Sequence, residues 1–101
     1  MGMKRDWKAA REKVDLEGRC RVCRTGGRLE AAHVIPRSLA PGAENQAAEN
    51  IVPLCPRCHR AYDSHDLDLA PYLVLEEELA AVRSAGSLSL ALRRVSNRRE
   101  V

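Results

Sequence analysis

Four cysteines arranged as two closely spaced pairs give the clearest chemical signal in this sequence. Two residues separate Cys20 from Cys23, and two separate Cys55 from Cys58. This spacing lets two sulfurs of one tight turn occupy adjacent corners of a tetrahedron, and two such pairs are typical of a structural zinc site. A site closed by four sulfurs stabilises a fold and leaves no coordination position for chemistry. The alternative is a pair of disulfides or free thiols, and a reducing compartment disfavours the disulfides.

The segment between the two pairs is long enough to hold a structural unit of its own. It has 31 residues, more than the roughly 15–20 of a common zinc ribbon. Two short apolar runs within it, 29–35 and 51–54, predict strands, and Pro53 favours an edge position for the second. The 14 residues from 36 to 49 connect these strands. A connection of this length in a small domain is usually functional or mobile.

A short helix is predicted directly after the second strand. Pro56 suits the first helical position, and the helix should run to Asp63. His59 and Asp63 are four residues apart and would share a face, whereas Cys58 is rotated by about 100° from His59. A nitrogen and a carboxylate on one face suit Mg²⁺, Mn²⁺, Ni²⁺ or Zn²⁺. One helix could therefore serve two metal ions on two sides.

The order and spacing of these motifs resemble the HNH nuclease family. The matching features are the first Cys-x2-Cys pair, the run Leu-Glu-Ala-Ala-His-Val-Ile-Pro at 29–36, the run Asn-Ile-Val-Pro-Leu-Cys-Pro-Arg-Cys-His at 50–59, and Asp63. The resemblance covers residues 20–63 and implies a small α+β protein with a ββα-metal, treble-clef-like core. In that core a strand hairpin and a helix hold one catalytic divalent ion, with a four-cysteine structural zinc site behind it. The flanking helices are similar to those of small bacteriophage HNH proteins encoded beside DNA-packaging genes.

The resemblance also implies roles for individual residues. His33 would be the general base, since a neutral imidazole titrates near working pH. Asn50 would hydrogen-bond the backbone of the long loop and so hold His33, while His59 and Asp63 would bind the catalytic ion. Taken singly, His33 could be a half-buried structural histidine, Asn50 a turn residue, and Asp63 a surface acid. His59 could be a solvated helix residue or a replacement zinc ligand beside Cys58.

Two features depart from the family pattern. Many members carry Asp or His directly before the general base as a further metal ligand, and this sequence has Ala32 there. An alanine occurs in the Leu-Glu-Ala-Ala-His variant of the family, so few protein ligands and weaker metal affinity or slower turnover are expected. The second departure is His65, two residues beyond Asp63. On a continuing helix His65 would lie about 200° away, so only a helix break near Ser64 would bring it into the site.

The segments outside this core predict packing helices. Asp6 can cap an N-terminal helix that ends at Glu17, before Gly18. We therefore divide the single domain 1–101 into a basic N-terminal helix at 1–19, the HNH core at 20–63, and C-terminal helices at 64–101.

Two helices are expected in the C-terminal segment. The first would bury Leu75, Leu79 and Val82 and stop near Gly86, and the second would begin at Ser87. In the second helix we expect three apolar side chains to face inward and four arginines to face outward. These are Leu88, Leu92 and Val95, and Arg93, Arg94, Arg98 and Arg99.

Charge and hydropathy narrow the possible classes of protein. Residues 1–28 carry nine Lys or Arg against four Asp or Glu, whereas residues 61–86 carry one against six. A basic surface attracts phosphates by counterion release, although charge of this size is also an ordinary solvated surface. No run approaches the roughly 18 apolar residues of a membrane span, and the start of the chain lacks the apolar stretch of a signal peptide. We expect a soluble cytoplasmic protein without a membrane partner, located in the host cytoplasm if it is phage-encoded.

These features together predict a metal-dependent DNA endonuclease of low intrinsic sequence specificity, acting as a nicking or phage DNA-processing enzyme. DNA is the expected partner, with phage terminase or another DNA-packaging protein as a further one. One alternative is a zinc-stabilised nucleic-acid-binding module without cleavage activity, and another is a packaging-complex adaptor whose acidic segment 61–86 meets a basic partner. The candidate DNA contacts are Arg37, Arg60, Lys8 and Arg11.

Overall fold

The computed structural model describes residues 2–36, 39 and 47–96, without the side chains of residues 2–6. Over these ranges the chain is a small α+β structure in which a two-stranded antiparallel sheet is followed by a helix, as the predicted ββα arrangement requires. None of the described helices is long and apolar enough to cross a membrane. The elements are α1 Gly2–Glu17, β1 Glu30–His33, β2 Ile51–Leu54, α2 Pro56–Asp63, α3 Leu75–Ala85 and α4 Leu88–Val95, with 3-10 turns at Ala48–Asn50 and Ala70–Tyr72.

The strands form a short ladder in which His33 lies opposite Ile51. The second strand has the predicted bounds, but β1 ends two residues before the predicted end at Ile35. The ladder stops there because Asn50, which would continue β2 backwards, belongs to a 3-10 turn. Both strands of a two-stranded sheet are edge strands, which agrees with the edge position predicted from Pro53. The carbonyl oxygen of Pro53 accepts a hydrogen bond from the N–H of Arg21 at 2.8 Å.

Helix α1 ends as predicted but begins earlier. The structure begins the helix at Gly2, so Asp6 lies inside it and the predicted cap is wrong. Methionine, lysine and arginine are good helix formers, and they extend the helix by one turn on the N-terminal side. At the other end Gly18 has a φ of 69°, the left-handed conformation that favours glycine after a helix.

The sheet is covered on both faces. On one face, Ala32 and Val52 belong to the main core with Tyr62 of α2. On the other face, Ala31 packs against a smaller cluster that includes Val14 of α1. Successive strand residues point to opposite sides, so Glu30 shares the α2 face with Ala32, and His33 shares the α1 face with Ala31.

Helix α3 stops before Gly86 and α4 begins after Ser87, as predicted, but the predicted inner faces are only partly right. Val82 packs against the main core and Val95 is buried, as predicted. Leu75 and Leu79 on α3, and Leu88 and Leu92 on α4, are exposed, so these four leucines were predicted wrongly. The buried residues are Glu77, Ala80 and Ala81 on α3, and Ala91, Arg94 and Val95 on α4.

The arginine predictions on α4 have separate outcomes. Arg93 is exposed as predicted, whereas Arg94 is buried against the Tyr62 ring rather than facing outward. Arg98 and Arg99 lie outside the described residues.

Glu77 is a buried carboxylate that joins three parts of the chain. Its side chain is 1% exposed and accepts hydrogen bonds from Arg21 Nη1 at 2.6 Å and from Lys13 Nζ at 2.8 Å. Lys13 also donates to the carbonyl oxygens of Ala48 and Ile51, each at 2.8 Å. These contacts connect α1, the first cysteine pair and α3 with the start of β2. They also explain why α3 turns a glutamate inward, because a buried carboxylate is tolerated when cations pair with it.

Replacing Glu77 by alanine should lower the free energy of unfolding by about 3 kcal/mol, because Lys13 and Arg21 would lose their buried carboxylate partner and Arg21 would keep only its pairing with Glu17. Chemical denaturation of the zinc-loaded protein measures this change. Glu76→Ala is the matched control, since Glu76 is exposed in the same helical turn. Equal losses in the two variants would contradict a structural role for the buried ion pairs.

The same carboxylate should make stability depend on pH. Burial raises the pKa of Glu77, but hydrogen bonds from Arg21, Lys13 and the Val74 N–H outweigh it, so the pKa lies below its usual 4.5. The ion pairs therefore contribute fully above pH 4.5, and their contribution is lost as the pH falls below that value. The difference in unfolding free energy between wild type and Glu77→Gln should accordingly shrink as the pH falls below about 4.5.

Candidate functional site

The four cysteines converge on one point. Their sulfur atoms all lie within 4.8 Å of one another, and Cys23 Sγ is 3.7 Å from Cys55 Sγ. All four are free thiols, and a disulfide would need a sulfur separation of about 2.05 Å. Cys20, Cys55 and Cys58 are buried, while Cys23 is exposed. Four converging sulfurs are the donor set that a structural zinc ion prefers, so the residues fit this metal.

Local backbone structure presents each pair of sulfurs. In the first pair, the N–H of Arg24 binds the carbonyl oxygen of Cys20 at 3.0 Å, and Arg24 itself adopts a left-handed φ of 67°. In the second pair, Cys55 is the N-cap of α2, where its sulfur accepts a hydrogen bond from the N–H of Cys58 at 3.5 Å. The N-cap position thus fixes the Cys55 sulfur at the start of α2.

The thiols of the cluster differ in acidity. Burial raises the pKa of Cys20, but backbone hydrogen bonds from Cys55, Cys23 and Val22 outweigh it and lower the value to about 6. Burial raises the pKa of Cys58 to about 12, and hydrogen bonds with neighbouring cysteines act in the same direction. Ionising all four thiols therefore needs a cation among them, as zinc coordination would provide.

His59 and Asp63 lie together on one face of α2, as their spacing predicts. His59 Nε2 is 3.6 Å from Asp63 Oδ2. Two protein ligands of one ion, each about 2.1 Å from it, lie roughly 3–3.5 Å apart, so this separation suits two donors to the same metal. Among the described residues, three or more such ligand atoms converge only at the cysteines. The described part of the chain therefore offers a divalent ion two donors here, which leaves room for phosphate and water.

Glu30 is a neighbour of this pair that the sequence interpretation missed. Its Oε1 lies 2.7 Å from His59 Nδ1. The hydrogen bond from His59 is the main cause that lowers the pKa of Glu30, and the nearby charges of Arg28 and Arg60 act in the same direction. An ionised Glu30 accepts a hydrogen bond from the Nδ1–H group of His59, which leaves Nε2 of His59 available towards Asp63. The signal was present in the alternation of β1, which places Glu30 on the same face as Ala32.

His33 lies on the other face of β1. Its ring stacks on the indole of Trp7 in α1, with centroids 5.9 Å apart and the planes inclined by 17°. The Glu30–His59 contact lies on the α2 face instead. The structure thus places the candidate base and the candidate metal ligands on opposite faces of one strand, and His33 is the last residue of that strand.

Asn50 fixes the backbone just beyond His33. Its buried side chain donates from Nδ2 to the carbonyl oxygen of Ile35 at 3.0 Å, and Oδ1 accepts from the Ile35 N–H at 2.9 Å. The Asn50 carbonyl oxygen accepts from the N–H of Val34 at 2.7 Å, and the Tyr62 hydroxyl donates to the Val34 carbonyl oxygen at 2.6 Å. The chain that leaves β1 is therefore held both by the start of β2 and by α2.

The last helix adds a cation beside Asp63. Arg94 Nη2 is 3.7 Å from Asp63 Oδ1, and the guanidinium lies 4.1 Å from the centre of the Tyr62 ring. Helix α2 ends at Asp63, with Ser64 as its C-cap and His65 at a left-handed φ of 63°. The helix break required for His65 to approach the site is therefore present. Asp63, His65 and Arg94 line one open cleft.

The candidate DNA contacts are only partly visible. Lys8, Arg11 and Arg60 are exposed, and Arg37 lies outside the described residues. Arg11 Nη2 approaches Asp15 Oδ1 at 3.4 Å and the carbonyl oxygen of Leu29 at 3.3 Å. Their role in DNA binding stays a prediction.

Comparison with known families identifies the central segment. Residues 20–68 match the family model described as HNH endonuclease, which confirms the resemblance over this segment. No curated protein and no solved structure matches the chain. The match contains both cysteine pairs, His33, Asn50 and the His59–Asp63 pair.

Purified protein should contain one zinc ion per chain, and Cys55→Ser should lose both the zinc and the fold. The serine hydroxyl can still cap α2, so the variant removes one sulfur of the cluster while keeping the helix cap. Elemental analysis gives the metal content, and circular dichroism with thermal unfolding gives the structure. Ser84→Ala serves as a control far along the chain from both cysteine pairs. A Cys55→Ser protein with wild-type unfolding and no metal would contradict a structural zinc site.

Proposed function

We propose that this protein is a metal-dependent DNA endonuclease that hydrolyses phosphodiester bonds. The observation that carries the proposal is the pairing of His59 Nε2 with Asp63 Oδ2 at 3.6 Å inside a segment that matches the HNH endonuclease family. An imidazole and a carboxylate at this distance suit a divalent ion that keeps open coordination positions. The four-cysteine cluster has a different donor chemistry and serves the fold.

The residues of α2 would hold the catalytic ion, which could be Mg²⁺, Mn²⁺, Ni²⁺ or Zn²⁺. Such an ion, when bound, neutralises charge on the leaving oxygen and on the pentacovalent phosphorus. Glu30 holds His59 with its Nε2 directed towards Asp63. Arg94 restrains Asp63 from the opposite side, since its guanidinium lies 3.7 Å from the second carboxylate oxygen.

His33 is the proposed general base. A neutral imidazole nitrogen accepts the proton of the attacking water, and such a group is suited to this near neutral pH. His33 ends β1 on the face away from α2, so the proposal requires a phosphodiester at the strand end to reach both the imidazole and the α2 side chains. Asn50 and Tyr62 hold the backbone beyond His33 and so keep this geometry.

DNA is the proposed substrate and partner. Lys8, Arg11 and Arg60 are exposed, and with Arg37 they would contact phosphates without reading bases. Intrinsic sequence specificity should therefore be low, and nicking is the proposed outcome. A role in phage DNA processing, with a terminase or another packaging protein as partner in the host cytoplasm, belongs to this proposal.

The second candidate function is a zinc-stabilised nucleic-acid-binding or packaging-complex adaptor module without cleavage activity. Ala32 favours it, because this residue faces α2 without offering a third metal ligand. Such a module would bind DNA in a salt-dependent way, or bind a basic partner, and would cleave nothing with any divalent metal.

Supercoiled plasmid should be nicked when a divalent metal is added, and His33→Ala should lower the rate by about 10²–10⁴-fold through loss of the general base. Gel assays in Mg²⁺, Mn²⁺, Ni²⁺ and Zn²⁺, each with an EDTA control, measure the rate. Zinc content and circular dichroism should match wild type, because His33 is not a ligand of the cysteine cluster. Undiminished cleavage by His33→Ala would overturn the assignment, and DNA binding without cleavage by wild type would favour the second candidate.

Glu30→Gln should weaken binding of the catalytic ion by about 10–100-fold, because the carboxylate no longer fixes the tautomer and orientation of His59. Calorimetric titration of zinc-loaded protein with Mn²⁺ or Ni²⁺ measures this affinity. Glu49→Gln is the matched control on an exposed glutamate. Wild-type affinity in Glu30→Gln would show that this carboxylate does not act on the metal through His59.

A further inference from the structure

We propose that Trp7 is a positioning residue for His33, so that helix α1, which lies outside the matched segment 20–68, completes the active site. This inference rests on the proposed function, because it concerns the orientation of the general base. The indole holds the imidazole ring in one orientation at the end of β1.

The contact between the two rings has the geometry of an aromatic stack. Their centroids are 5.9 Å apart, within the 4.5–7 Å range typical of paired rings, and their planes differ by 17°. Near-parallel planes restrain rotation of the imidazole about its side-chain bonds. Asn50 and Tyr62 restrain only the backbone that follows His33. The stack with Trp7 acts on the ring itself and so contributes directly to its orientation.

Helix α1 is itself fastened to the strand opposite His33. Ala10 and Val14 are fully buried in a cluster with Ile51, the residue paired with His33 across the sheet. Lys13 Nζ donates to the Ile51 carbonyl oxygen at 2.8 Å. A rigid connection therefore runs from the indole through α1 to the cross-strand partner of the imidazole.

Trp7 lies at the surface and takes no part in the buried clusters. It is the single tryptophan of a chain without phenylalanine, yet it is 39% exposed and is absent from both buried clusters. A large aromatic side chain used only for packing would be expected in the interior.

Nuclear magnetic resonance tests the stack without any cleavage. In zinc-loaded protein, ring current from the indole should move the imidazole proton resonances of His33 upfield, and His33→Ala assigns these signals among the three histidines. Trp7→Leu should remove the upfield shift, and Trp7→Phe should keep part of it. Unchanged His33 resonances in Trp7→Leu would overturn the proposed contact.

Steady-state cleavage then tests the consequence for chemistry. Trp7→Leu should lower kcat by about 10–100-fold with KM within about twofold, because a misplaced base slows the chemical step, and Trp7→Phe should recover most of kcat. Leu16→Ala is the matched control, since it shortens an exposed apolar side chain of the same helix. A wild-type kcat in Trp7→Leu, or an equal loss in Leu16→Ala, would overturn the positioning role.

The two proposals fail in distinguishable ways. Cleavage by wild type that is insensitive to Trp7→Leu overturns the positioning role and leaves the endonuclease function standing. Absence of cleavage by wild type with every metal overturns both the function and the positioning role. A His33 resonance shifted by Trp7 would then establish the stack as a structural contact only.

Discussion

Convergence of four sulfurs is the constraint on which the rest of this structure depends. One cysteine pair precedes β1 and the other lies where β2 passes into α2, so a metal there fastens the start of the ββα unit to the junction of β2 and α2. The strands need this support, because each has four residues and a two-stranded sheet is only marginally stable in water. The active-site geometry therefore depends on an ion that takes no part in the proposed chemistry.

Buried polar side chains add to the stability that the small apolar core provides. Phenylalanine is missing from the chain, and three of the interior contacts involve Glu77, Arg94 and the hydroxyl of Tyr62. Each of these groups is buried with a partner, as the cost of removing charge or a polar group from water requires. Two of them act close to the site, since Tyr62 holds the chain beyond His33 and Arg94 lies beside Asp63.

The central strand and helix could be predicted from local signals in the sequence. The bounds of β2, the start of α2 at Pro56 and the shared face of His59 and Asp63 follow from neighbouring residues, and the structure agrees with them. The leucines predicted to face inward on α3 and α4 are exposed, because contacts of Glu77 and Arg94 with distant residues turn those side chains inward instead. The contacts of Glu30 and Trp7 with the histidines were missed because each joins two separate elements.

The paired hydrogen bonds between Asn50 and Ile35 close the base of the connection from 36 to 49. Because the two ends of this connection are hydrogen-bonded to each other, a change in its length should disturb the strands little. Doubling the length of a loop costs only about 0.6 kcal/mol of folding free energy. Evolution or a protein engineer can thus lengthen, shorten or graft residues here without displacing the imidazole next to it. The fold thus offers a replaceable segment beside the candidate active site, where recognition of a new target could be acquired.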